Sequence, residues 1–332
     1  MNRIYLFFLV LVTLGCSDQN DISYHKLKGI ALGTSFHITY KNSKNSVSEK
    51  QIDSLIHLVN KSMSTYLPDS DISKINKGDT TIIVDQMFQE VFNKSKRIFS
   101  ETNGAFDPTI GILVNAWGFG PDNVVENLDS AHVMSMLEFV GLQKIHLKNN
   151  KIIKKDSATY IDFNAIAKGY AVDVIGRFME LNHIKDYLVE IGGEIRAKGK
   201  NPEGKIWKIA IEKPNFDGSR SFQAVIKLDN ESIATSGNYR KYKIDSVTGK
   251  KYAHTIDTKT GFPSQSNLLS ASVIANTDCA DVDGYATAFM AMGFEKSKMF
   301  LQKHHELKCF LIYSDGQGDI KTYTTENLHT LN

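Results

Sequence analysis

Proline and cysteine are scarce in this chain, and neither sign of charge dominates it. Six prolines and well-spaced glycines among 332 residues leave no stretch that reads as a long linker. No repeat recurs along the chain, which excludes a solenoid or propeller. Lys plus Arg number 39 against 37 for Asp plus Glu, and so even a balance offers no footprint for nucleic acid or another polyanion. Two phosphate-binding signatures are missing. No G-x-G-x-x-G follows a strand and opens a helix, and no G-x-x-x-x-G-K-[ST] occurs, so the common dinucleotide and P-loop sites are excluded.

What is present suits a globular enzyme-sized chain. With 42% hydrophobic and 23% charged residues, the sequence can bury a substantial core as one large or two ordinary domains. Its N-terminus differs in kind. Arg3 precedes an apolar run over 4–14, about a dozen residues and too short to span a bilayer, which stops at Leu14-Gly15-Cys16. This resembles the lipobox of a bacterial lipoprotein, with Thr13 where leucine is usual. The resemblance implies a signal peptide over 1–16, lipidation at Cys16 and a polar tether over 17–26. It also implies export as a membrane-anchored, periplasm-facing lipoprotein. Cys279 and Cys309 then remain in the domain at 27–332; one disulfide and two buried thiols are both open, and neither cysteine reads as catalytic.

Local patterns predict the elements. The stretch 27–40 reads as a strand pair interrupted at 31–34. Ser48 stands before apolar residues at 52, 55, 56, 59 and 63, the spacing of a capped helix. A second amphipathic helix covers 85–102, a short one 130–139, and a hairpin 143–161 turns at Asn149-Asn150. A helix is expected over 162–180 with Asp162 as its cap. Strands follow at 187–191, 206–212, 222–228, 231–235, 251–257, 267–275, 308–314 and 318–323, with helices at 281–292 and 295–304. Antiparallel strands with helices inserted in blocks predict an α+β fold, one large compact catalytic domain.

Polar residues at element ends carry the candidate chemistry. Asp283 and Thr287 lie four apart on one helix face, an oxygen pair suited to a hard cation such as Mg²⁺. The plain alternative is that Asp283 caps the helix and Thr287 bonds back to a carbonyl. Five further segments combine small and polar residues: 103–107, 162–169, 190–195, 232–239 and 254–263. Singly, each has an ordinary explanation as a turn, a cap or a bulge.

Their order along the chain is more specific. A-L-G-T-S-F (31–36), S-T-Y-L-P-D-S-D-I-S-K-I-N (64–76), G-A-F-D-P-T-I-G-I-L-V-N-A-W-G-F-G (104–120), I-D-F-N-A-I-A-K-G-Y-A-V-D (161–173), Y-L-V-E-I-G-G-E-I-R-A-K-G (187–199), I-A-T-S-G-N-Y-R (233–240), H-T-I-D-T-K-T-G-F-P (254–263) and A-D-V-D-G-Y-A-T-A-F-M-A-M-G (280–293) occur in sequence. Together they resemble the ApbE family of FAD:protein FMN transferases, across about 29–314. The resemblance implies Mg²⁺-dependent transfer of FMN from FAD, a substrate here, to a Ser or Thr hydroxyl of an exported or membrane redox partner, with release of AMP. By position, Asp283, Thr287 and the carbonyl of Ala165 would hold Mg²⁺. Leu32, Tyr66, Ala105, Phe106, Asp107, Asp162, Lys168, Gly192, Gly193 and Ile256 would bind FAD. His254 would be either the base that activates the acceptor or a ligand of FAD. The family's acceptor motif resembles D-[GA]-x-[ST]-[GA]-A-[ST]; the nearest run here, 283–288, has Ala286 where the hydroxyl belongs, so the acceptor is expected on another polypeptide. Two alternatives share the flavin site: an FAD pyrophosphatase giving FMN and AMP, and a flavin-binding lipoprotein without catalysis.

Overall fold

A computed structural model of the chain describes residues 23–42, 46–122, 124–125, 128–215, 219, 221–238, 242–244 and 251–331. Cys16 and the signal segment lie outside the described residues. The framework is an eight-stranded antiparallel sheet whose strands neighbour one another in chain order: Tyr24–Ala31, Thr34–Lys41, Tyr187–Ile191, Glu194–Lys198, Ser232–Gly237, Leu268–Ala275, Lys308–Ser314 and Ile320–Thr324. Period-two burial explains why these segments are strands. In Thr34–Lys41, Phe36, Ile38 and Tyr40 point inward while Ser35 and His37 face out.

The interior strand Leu268–Ala275 is buried on both faces. On one side Ala271, Val273 and Ala275 join the main core with the helices. On the other, Ile274, Ile233 and Ile312 pack against Trp207, Ile211, Ile226 and Leu228. These belong to a three-stranded sheet of Trp207–Glu212, Phe222–Leu228 and Thr330–Leu331. The helical layer is Glu49–Met63, Gln86–Glu101, Ala167–Leu181 and Cys279–Met292. The first starts in a full capping box between Ser48 and Gln51, and Gln86–Glu101 is capped by Asp85. Cys279–Met292 is buried almost all round, the pattern of a central helix. Its small residues let neighbours approach: a Cβ on Gly284 would stand 2.6 Å from Ile98 Cδ1.

Several expected elements change their bounds: the hairpin expected over 143–161 contracts to Ile145–Lys148 and Lys151–Lys154, and the helix expected over 295–304 becomes Phe294–Leu301. The helix expected over 162–180 begins at Ala167, because Asp162 closes a turn instead. Its Oδ1 accepts the Asn164 N–H at 2.7 Å, and the Ile161 N–H goes to Asn76 Oδ1. The strand expected over 251–257 shrinks to Lys251–Ala253, since beyond it Ile256 makes only an isolated bridge with Pro263. Two short helices, Asp71–Asn76 and Gly111–Ala116, carry too little periodicity to be read from the sequence. Cys279 and Cys309 are both free and buried, which decides the question left open by the sequence.

Candidate active site

Between the main sheet and the helical layer lies a cavity of about 1290 Å³. Leu32, Tyr66, Ala105, Phe106, Asp107, Asp162, Ala165, Lys168, Gly192, Gly193, His254, Ile256, Asp283 and Thr287 all line it. Every flavin, metal and base candidate from the sequence is thus brought together; only the lipidation candidate Cys16 falls outside the described residues.

The turns at the cavity need unusual backbone. Leu32 and Gly33, at φ 47° and 75°, close the first hairpin, and a leucine held there is an uncommon left-handed residue. Gly192 and Gly193 close the next hairpin at φ 62° and 107°. A side chain on Gly192 would stand 2.7 Å from Thr34 Cγ2. The loop bearing His254 is tied down at several points. Thr255 Oγ1 donates to Asn238 Oδ1 at 2.9 Å, Thr258 Oγ1 to the Gly104 carbonyl at 2.6 Å, and Trp117 Nε1 to the Gly261 carbonyl at 2.9 Å. The Phe119 ring meets the His254 imidazole edge-on, with ring centres 6.5 Å apart.

Two helices pack against each other by their N-terminal turns beneath the cavity and cap each other. Asp283 Oδ2 accepts the Gly169 N–H at 3.0 Å, in the first turn of Ala167–Leu181. Asp173 of that helix accepts the Cys279 and Ala280 N–H groups at 2.8 and 2.9 Å, the orphan donors that open Cys279–Met292. Asp283 therefore does not cap its own helix, contrary to the plain alternative. Gly169 permits the approach, since a Cβ there would stand 2.5 Å from the Cys279 carbonyl oxygen. Thr287 Oγ1 lies 3.4 Å from Ser236 Oγ.

The charges are unevenly engaged. Asp107 is spent on the protein itself, accepting from Thr109 N–H and Oγ1 and from the Leu142 N–H. Burial pushes the Asp162 carboxyl up to about 6, against the pull of its bonds from Asn164. Burial also raises Asp283, with Lys168 opposing it. Glu194 lies in the segment 190–195 singled out in the sequence, but no role of its own was assigned to it there. It is 2% exposed and holds Lys168 Nζ at 2.6 Å; burial and Asp283 raise its carboxyl, and Lys168 pulls it back toward the charged form. The available signal was a lone acid opening a strand directly after the Gly192-Gly193 turn.

A buried carboxylate with one protein hydrogen bond, a hydroxyl four residues on and a carbonyl at Ala165 form a set of hard oxygen donors, which fits Mg²⁺. Among the described residues no three His, Cys, Asp or Glu side chains cluster, so a cation here would depend on hydroxyl and carbonyl oxygens beside Asp283.

Comparison with known proteins gives one consistent result. The ApbE family model matches residues 32–311. The FAD:protein FMN transferase of Haemophilus influenzae is 39% identical over 313 residues, 90% of this chain and 89% of that protein. The enzyme of the same name from Vibrio cholerae is 34% identical over 325 residues, 96% of this chain and 95% of its own length. Among solved structures, the flavin transferase ApbE from Vibrio cholerae superposes with a TM-score of 0.81 at 32% identity, covering 92% of this chain and 98% of that one. The apo flavinyl transferase ApbE of Pseudomonas stutzeri also reaches 0.81, at 28% identity, covering 92% and 95%.

Proposed function

The chain belongs to the ApbE family, and from that premise we propose that it transfers FMN from FAD to a Ser or Thr hydroxyl of a partner protein and releases AMP. The observation that carries this reading is the convergence of all the flavin, metal and base candidates on one cavity, from segments as far apart in sequence as Leu32 and Thr287.

The residues divide the work. Phe106 and Tyr66 offer aromatic faces to the flavin or adenine ring, with Leu32 and Ile256 as apolar walls. Gly192 and Gly193 let the backbone come close to the ligand. Asp162 keeps its partly raised carboxyl at the cavity wall, while Asp107, engaged by Thr109 and Leu142, shapes that wall. Lys168, a cavity-lining residue paired with Glu194, would bring positive charge toward the pyrophosphate. Asp283, Thr287 and the Ala165 carbonyl would hold Mg²⁺, which supplies positive charge against the pyrophosphate. His254 takes the proton of the acceptor hydroxyl. That oxygen bonds to the phosphorus of the FMN half, the P–O bond to the AMP half breaks, and AMP leaves with the electron pair. Placement of the hydroxyl in line with the breaking bond provides much of the acceleration.

The reading includes export and a lipid anchor at Cys16, with residues 17–26 as tether, and an acceptor bearing the D-[GA]-x-[ST]-[GA]-A-[ST] pattern. The deciding experiment incubates the chain lacking residues 1–16 with FAD, Mg²⁺ and such an acceptor domain, then follows acceptor mass and AMP. A flavin-mass adduct with equimolar AMP is expected. AMP without adduct would establish a pyrophosphatase, and neither product would leave a flavin-binding protein.

A further inference from the structure

Lys168 stands at an unfavourable place for a cation. It is the second residue of the helix Ala167–Leu181, where backbone N–H groups already concentrate positive charge. Two buried carboxylates face it, Asp283 and Glu194, and both act on its ammonium. Yet the ion pair closes on Glu194 alone, at 2.6 Å; among the described residues Asp283 has no ion pair. Asp283 instead spends Oδ2 on the Gly169 N–H.

Glu194 itself is out of a ligand's reach. Its neighbours Gly193 and Ile195 line the cavity, as do Lys168 and Asp283, but Glu194 does not. It is 2% exposed, and its Oε2 has no hydrogen-bond partner among the described residues, an uncommon state for a buried carboxylate. A group so placed reaches the cavity wall by direct contact through its ion pair with Lys168.

We infer that Glu194 is a positioning residue that holds the Lys168 ammonium off Asp283, keeping that carboxylate open to a divalent cation. Without the Glu194 charge, the carboxylate that still acts on Lys168 is Asp283. A Lys168–Asp283 pair would then have to break before a cation could bind. The inference rests on the reading of Asp283 as a metal ligand.

The test titrates Mn²⁺ into the FAD-saturated chain without acceptor, following free Mn²⁺ by paramagnetic resonance. Glu194→Gln, of nearly the same shape, should weaken Mn²⁺ at least tenfold. Lys168→Met should restore affinity in the double variant, a rescue that a merely structural role of Glu194 would not produce. Parental Mn²⁺ affinity in Glu194→Gln, or no rescue by Lys168→Met, overturns the inference. Should Glu194→Gln fail to fold, Glu194→Asp serves: its shorter side chain should release Lys168 and weaken Mn²⁺, and unchanged affinity counts against the idea. Asp283→Ala run alongside separates the two failures. If that variant also keeps Mn²⁺, the metal site itself is wrongly placed; if it loses Mn²⁺ while Glu194→Gln retains it, only the role of Glu194 falls.

Discussion

At Asp283 the question is what its charge does, because its hydrogen bond is already accounted for. The carboxylate caps a neighbouring helix through Gly169, a bond that asparagine can also accept. Asp283→Asn should therefore fold with a melting temperature within a few degrees of the parent and yet lose activity by about 10²-fold or more, the scale for removing a charge that organises a phosphoryl transfer. A variant with parental AMP release would return this residue to a structural role. His254 calls for a different comparison. His254→Asn should retain FAD affinity within about threefold while transfer slows by roughly 10²–10⁴-fold, the range for general-base loss. A fall in FAD affinity matching the fall in rate would make the imidazole a binding group. Both residues were legible in the sequence. Glu194 was not, because its importance lies in burial and in a partner 26 residues away in the chain.

At the scale of elements, the reciprocal capping of Ala167–Leu181 and Cys279–Met292 is the feature that fixes the cavity floor. Gly169→Ala sets a methyl against backbone atoms at 2.5 to 2.8 Å, none of which can rotate away. The helices must separate, at a cost of about 1–3 kcal/mol. Since the same contact carries Asp283, the variant should show a lower melting temperature and also a raised Mg²⁺ requirement for transfer. A stability loss with an unchanged Mg²⁺ requirement would uncouple the two. The N-terminus of Cys279–Met292 also carries a charge network: Asp278 meets Lys94, Arg177 and Arg196 at 2.7 to 2.9 Å. Burial acts to raise its carboxyl, but Lys94 and the two guanidinium groups outweigh it and hold it at about 2. A carboxyl depressed in the folded state stabilises above its unfolded value, near 4, and loses that contribution as pH falls toward 2. Parent minus Asp278→Asn stability, read from urea unfolding, is compared below about pH 5, where Asp173, raised to about 7 by burial and by Asp278, is already protonated in the folded state. That difference should shrink by about 1–2 kcal/mol on further acidification, a figure discounted for the partial exposure of the pair. A difference that grows on acidification would reverse the assignment.

Over the whole molecule, a sheet in chain order holds the hairpin turns at 32–33 and 192–193 beside strand Ser232–Gly237, while the long insertion between its second and third strands delivers Tyr66, Phe106 and Asp162 from the helical side. No helix among the described residues is long and apolar enough to cross a membrane. In our proposal membrane attachment is carried by Cys16. Cys16→Ser should abolish labelling by radioactive palmitate and release the chain from the membrane fraction, while the purified variant retains full transfer to a soluble acceptor domain. Continued labelling would remove the lipoprotein assignment.

Local chemistry determined most of the framework in advance. Ser48 and Asp85 announce helix starts, Phe36, Ile38 and Tyr40 announce a strand, and Asn149 and Asn150, both at positive φ, announce a hairpin turn. Each of these depends on neighbours a few residues away. The ordered motifs likewise named the residues that meet in the cavity. What the tertiary structure alone decided is how the buried polar groups are spent. Asp162 closes a turn and does not begin a helix, Asp107 is consumed by Thr109 and Leu142, and Cys279 and Cys309 stay apart. Asp173 and Asp283 exchange caps across 106 and 114 residues, and Glu194 takes Lys168. A buried carboxylate must find a partner wherever the fold brings one, and that partner is set by packing between distant segments, which no local pattern records.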